Sequence, residues 1–162
     1  MCLQTFAFVV AEFIWSKNGI IKSVICIFGC TTFALLNASG YRCPYFNDGC
    51  DSGRTWAFAA YIISWAVSLI ILLLHILGLA SKISIFGSID FVWSAFSCLH
   101  YLTASIVLAS YLHCVSFDYF HCAARLAADI FGFLTSVLYL IEAFFLKSKT
   151  SNISPKPTNV NT

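Results

Sequence analysis

Charge is what this sequence has least of. Of its 162 residues only 10% are Asp, Glu, Lys or Arg, while 60% are hydrophobic and 17% aromatic. Soluble domains average about 25% charged residues. A lone domain of this size in water leaves roughly 30% of its chain surface wet, which so few charges cannot coat. A soluble domain is therefore excluded. Intrinsic disorder fails on the same figures, because apolar content is high and the net charge is only +2. Nine Lys and Arg scattered along the chain make no basic patch, which excludes nucleic acid as a partner. A secretory signal needs positive charge ahead of its apolar stretch, and here Lys17 follows the apolar segment Met1 to Trp15. A reactive Cys-x-x-Cys pair is also lacking, which removes the usual motif of thiol oxidation. What remains is an integral membrane protein.

Four apolar runs are each long enough to span a bilayer, which takes about 20 residues. They are Gly19 to Ala38, Trp56 to Leu79, Phe91 to Leu112 and Tyr119 to Leu146. The connections are the loop Ser39 to Arg54, a turn around Ser81 to Gly87 and another around His113 to Asp118. Short connections make antiparallel neighbours. The expected fold is an all-α integral membrane protein, an antiparallel four-helix transmembrane bundle occupying residues 18–147. Lys17, Lys22, Lys82, Lys147 and Lys149 fall at one end, against Arg42, Arg54 and Arg125 at the other. This bias places both termini in the cytosol. Residues 1–17 form a cytosolic segment with the character of an interfacial helix, Gln4, Thr5 and Glu12 sharing one side and Trp15 lying at headgroup level. Cys2 is a weak acylation candidate. Residues 148–162, with Pro155 and Pro157, are expected to be a disordered cytosolic tail.

Both outer loops then hold paired cysteines. Cys43 and Cys50 flank a turn signal at Asn47-Asp48-Gly49, and Cys114 and Cys122 flank the second loop. Outside the cytosol such thiols oxidise, so these four are the disulfide candidates, with crossed pairings open. The repeated dipeptides His113-Cys114 and His121-Cys122 offer two His and two Cys, but without zinc-site spacing a disulfide is the preferred reading. Cys26, Cys30 and Cys98 lie in spans as small packing residues. His75 and His100 also lie in spans, at depths several ångströms apart, which argues against a shared haem.

Charge inside a membrane is the default functional flag. Arg125 and Asp129 share one face of the fourth span, four residues apart, a spacing that allows an ion pair. They are expected to be a structural clamp, with a partner or ion site as the alternative. Asp90 and Glu142 lie near inner span ends, where they are expected to reach the headgroups. Gly29, Ser64, Ser68, Ser94, Ser97, Thr103, Ser105 and Gly132 suit close helix packing. No catalytic set and no cofactor or metal ligand set emerges.

Several segments carry a family resemblance. Asn18-Gly19-Ile20-Ile21-Lys22, followed by an apolar run with Gly29, resembles the first span of MARVEL-domain proteins. Asp90-Phe91-Val92-Trp93, leading to Tyr101-Leu102-Thr103-Ala104-Ser105, is similar to the third span of the myelin-and-lymphocyte and chemokine-like-factor members, relatives of plasmolipin. The stretch from Ala123-Ala124 through Phe131-Gly132-Phe133-Leu134 to Glu142-Ala143-Phe144-Phe145 is similar to their last span. The resemblance covers Asn18 to Lys147. It implies a non-enzymatic tetraspan protein that organises membrane microdomains, vesicle traffic or membrane apposition. The alternatives are an accessory subunit or chaperone of another membrane protein and, further off, a redox or metal enzyme. The implied partners are membrane lipids, sterol among them, other membrane proteins and further copies of the chain. The implied location is the plasma membrane or vesicles derived from the Golgi.

Overall fold

The computed structural model describes residues 15–39, 48–83, 85–110 and 119–153. Among the described residues there are four α-helices: α1 (Lys17–Ala38), α2 (Asp48–Ile76), α3 (Phe86–Ser110) and α4 (Tyr119–Ile153). A single 3-10 turn, Ala80–Lys82, lies between α2 and α3. All four helices are long and apolar enough to cross a membrane, over 17–38, 52–76, 86–110 and 123–148.

The boundaries differ from the sequence expectation in three places. Helix α2 starts at Asp48, inside the stretch taken for a loop, so Asp48 and Gly49 open a helix instead of completing a turn. Helix α3 starts at Phe86, five residues before Phe91. Helix α4 continues to Ile153, so residues 148–153 of the expected tail are helical. Extending an existing helix adds a hydrogen bond for each residue fixed. Residues 1–14, where the interfacial helix is expected, and 154–162 lie outside the described residues.

The helix ends are capped by recognisable chemistry. Ser16 caps α1, its hydroxyl accepting from the Gly19 N–H at 3.1 Å. Two residues past the end of α2 at Ile76, Gly78 has a φ of 69°, which glycine adopts without strain. There the Leu79 N–H donates to Leu74 O and the Gly78 N–H to His75 O, both at 3.0 Å, the pairing of a Schellman cap. This cap fixes the last turn of α2, which carries His75.

Each helix packs against two neighbours in the cyclic order α1, α2, α3, α4. Side chains bridge both diagonals. Lys22 of α1 reaches Asp90 of α3, and Ser68 of α2 meets Tyr139 of α4. The polarity of the bundle is inverted relative to a soluble protein. Thr32, Ser64, Ser94, Ser97, Ser105 and Thr135 are buried, while Ile27, Val92, Leu99 and Phe144 stand outward at 60–65% exposure. In lipid, apolar surface gives helices no reason to associate, so small residues and interhelical hydrogen bonds hold them together. The expected packing set is buried apart from Thr103. Thr103 faces outward, and its hydroxyl donates to Leu99 O at 2.8 Å on its own helix.

Candidate functional site

The strongest concentration of charge lies where the start of α1, the end of α2, the start of α3 and the later part of α4 converge. Lys22 stands between two carboxylates, its Nζ 2.6 Å from Asp90 Oδ1 and 2.5 Å from Glu142 Oε1. All three are buried, with residue exposures of 6%, 1% and 5%. Ser94 donates to Glu142 Oε2 at 2.9 Å. His75 turns its Nε2 towards Asp90 Oδ2 at 3.6 Å. A cavity of about 10 Å³ sits among Lys22, Ser68, Asp90, Trp93, Ser94 and Glu142, room for about one water.

Next to this cluster runs a ladder of aromatic hydroxyls and serines. Tyr139 and Ser68 share a hydrogen bond of 2.6 Å, and the Trp93 Nε1–H donates to Ser68 Oγ at 3.2 Å. Trp65 Nε1–H donates to Cys26 O at 3.0 Å, tying α2 to α1. Further along, Tyr61 and Ser105 pair at 2.9 Å, against the bare backbone of Gly132. The rings of Tyr61, Tyr101 and Tyr139 follow one another, with centroids 4.9 and 5.5 Å apart. A buried tyrosine needs a partner for its hydroxyl, and these find theirs on other helices.

Two sequence expectations are corrected here. Asp90 and Glu142 do not reach the headgroups; both are inside the bundle, bound to Lys22. Lys22, counted among the end charges that set orientation, is an interior residue. The physical reason is that one ammonium held between two carboxylates, with a serine hydroxyl added, offsets part of the cost of bringing each charge into the bundle. Without Lys22 and the span residue Arg125, the tally is Lys17, Lys82, Lys147 and Lys149 against Arg42 and Arg54, so its direction is kept.

Arg125 and Asp129 lie one turn apart on α4. Asp129 is buried, and its carboxylate oxygens accept no hydrogen bond among the described residues. His75 and His100 have separate surroundings. His75 Nδ1 contacts Ile71 O at 3.0 Å, whereas His100 Nδ1 lies 3.4 Å from Ser64 Oγ. Cys26, Cys30 and Cys98 are free thiols within the spans. Cys43 and Cys114 lie outside the described residues, as do the side chains of Cys50, His121 and Cys122. The disulfide candidates and the His-Cys dipeptides therefore have no described geometry.

The fold and this interior define a class, a four-span membrane protein whose helices are joined by interior polar contacts. The chain belongs to the MARVEL family: the model of that membrane-associating domain matches residues 13–145. It is similar to myeloid-associated differentiation marker-like protein 2 of Xenopus laevis, 30% identical over 150 residues, covering 88% of this chain and 47% of the relative. The chain thus spans about half the length of the curated relative it matches. No solved structure matches it.

Sequence reasoning missed the Lys22 cluster and the three tyrosines. The signal was present. Lys22, Asp90 and Glu142 all fall at the same end of antiparallel spans, and charges in a membrane seek one another.

Proposed function

We propose that this protein is a non-enzymatic membrane organiser that acts through its lipid-facing surface and the length of its spans. One observation carries this reading, the partition of the bundle. Most of its span hydroxyls, the Trp65 and Trp93 indoles and most of its span charges turn inward, while many of its Ile, Leu, Val and Phe side chains face outward. What such a surface offers its surroundings is apolar contact with lipid, sterol and neighbouring spans, in the plasma membrane or in Golgi-derived vesicles. The α2 span of 25 residues is about 37 Å long, more than the roughly 30 Å of an average hydrocarbon core. Mismatch of this kind costs fractions of a kcal/mol per ångström and favours thicker, ordered membrane.

In giant vesicles with coexisting phases, the protein is expected to favour the sterol-rich ordered phase. A mismatch difference of roughly 1 kcal/mol would give about fivefold enrichment. Sterol extraction disperses it, and Ile63→Ala with Ile70→Ala and Leu73→Ala, all on the outer face of α2, weakens the preference. In cells, tags at both termini become accessible only after permeabilisation. Even partition that ignores sterol, or a tag exposed on intact cells, would contradict the corresponding part of the proposal.

A second reading, an accessory subunit of another membrane protein, is favoured by the buried carboxylate of Asp129, which accepts no hydrogen bond among the described residues. Under the organiser reading Arg125 and Asp129 are a clamp internal to α4. Asp129→Ala then lowers the folded yield more than the double change Arg125→Leu, Asp129→Leu, because breaking a buried pair strands a charge. Equal loss of trafficking in both variants, with folding intact, points to a recognition site instead.

A further inference from the structure

We propose that Lys22, Asp90, Glu142 and His75 form a proton-binding site, and that a proton taken up on Nε2 of His75 locks the end of α2 onto the other three helices. Charge, geometry and placement each support this.

The first support is the charge balance. Lys22 brings one positive charge, while Asp90 and Glu142 bring two negative ones, all buried. Without a further proton the trio carries an uncompensated negative charge in an apolar bundle, which is costly.

The second is the state of the imidazole. Its Nδ1 lies 3.0 Å from the carbonyl oxygen of Ile71, which can only accept, so Nδ1 carries a hydrogen. A neutral ring of that tautomer points the lone pair of Nε2 at Asp90 Oδ2, 3.6 Å away. Lone pair and carboxylate repel each other. A proton on Nε2 turns the contact into an ion pair and brings the four-group sum to zero. Asp90 Oδ2 is the acceptor the site leaves open: Lys22 engages Oδ1, and Oδ2 accepts no hydrogen bond among the described residues.

The third is access. The side chain of His75 keeps 20% of its surface exposed, whereas that of Asp90 keeps 1%. The imidazole stands in the last turn of α2, where the helix dipole favours a cation. Protons therefore reach it from the aqueous phase at that end.

Among the described residues, the other titratable groups facing the site are Cys26 of α1, near Lys22 and Glu142, and Tyr139 of α4, near Glu142. Lys82 in the following turn is exposed. Neither Cys26 nor Tyr139 supplies the missing positive charge. Among these contacts, the His75–Asp90 contact brings α2 to the Lys22, Asp90 and Glu142 trio. Its loss is expected to free the last turn of α2 and the 3-10 turn behind it. Stability gained this way is present at low pH and lost as the proton leaves.

The test uses the full chain in lipid nanodiscs. The thermal midpoint of the wild type, followed from about pH 5.5 to pH 8, the range in which histidine changes charge, should fall by about 2–4 °C. His75→Gln should flatten that dependence, and Asp90→Asn should reduce it. The histidine ring resonances of the wild type give a readout independent of variant folding. The His75 signal, assigned by its loss in His75→Gln, should shift from imidazolium to imidazole as the pH rises over this range. A flat wild-type profile, a His75 signal that does not move, or a pH dependence that persists in His75→Gln would each overturn the assignment. The last result would place the proton on a carboxylate.

Discussion

Replacing Lys22 with leucine is expected to cost about 3–5 kcal/mol, the scale for stripping one partner from a buried ion pair. The loss is large because two carboxylates depend on this single ammonium, at 2.6 and 2.5 Å. Among the described residues, Asp90 would keep only the His75 imidazole, 3.6 Å away, and Glu142 only the Ser94 hydroxyl. The folded, monodisperse fraction after extraction into mild detergent should collapse. The triple change Lys22→Leu, Asp90→Leu, Glu142→Leu should recover most of it, since replacing a complete buried cluster by apolar residues is often neutral. A Lys22→Leu protein as stable as the wild type would show that the cluster does not hold the bundle together.

The second large effect is expected at Gly132. A Cβ built there would meet the Ser105 hydroxyl and stand 2.7 Å from Tyr61 Oη, both closer than real contacts allow. The serine hydroxyl can rotate away, but the tyrosine ring is wedged at 0% exposure and cannot retreat. Gly132→Ala should therefore cost about 1–3 kcal/mol, the usual range for overpacking. Tyr61→Phe alone loses the 2.9 Å bond to Ser105, about 1 kcal/mol. Combined, the two changes should cost less than their sum, because removing the hydroxyl makes the room the methyl needs. Strict additivity in a thermal-unfolding double-mutant cycle would refute the close approach.

The four spans were legible because their signal is gross. Runs of about 20 apolar residues need no knowledge of packing to be recognised, and the ends they predict fall within a few residues for α1 and for the C-terminal end of α3. The glycine and serine positions were legible for a similar reason, since small residues in a span have few uses other than close approach. What stayed hidden was pairing across helices. Lys22 was assigned to water because it lies near a span end, and nothing local distinguishes a snorkelling lysine from one held between carboxylates. Its partners lie on α3 and α4, and only the register of those helices brings them to it. Tyr61, Tyr101 and Tyr139 look like ordinary aromatic spacers in sequence, and their hydroxyl partners are likewise non-local. The start of α2 was obscured by Asn47-Asp48-Gly49, because Asp suits a turn and a helix start equally well.

The distribution of the Lys22 cluster over three helices also bears on how the chain is made. Asp90 lies 68 residues beyond Lys22. At about 5–20 residues per second, synthesis separates them by roughly 3–14 s, with Glu142 later still. For that interval α1 carries a lysine with neither carboxylate yet made. An isolated first span must therefore keep its ammonium near the lipid headgroups or shelter it within the insertion machinery. Its final contacts with Asp90 and Glu142 can form only once α3 and α4 have been made, so the cluster closes last in the order of synthesis.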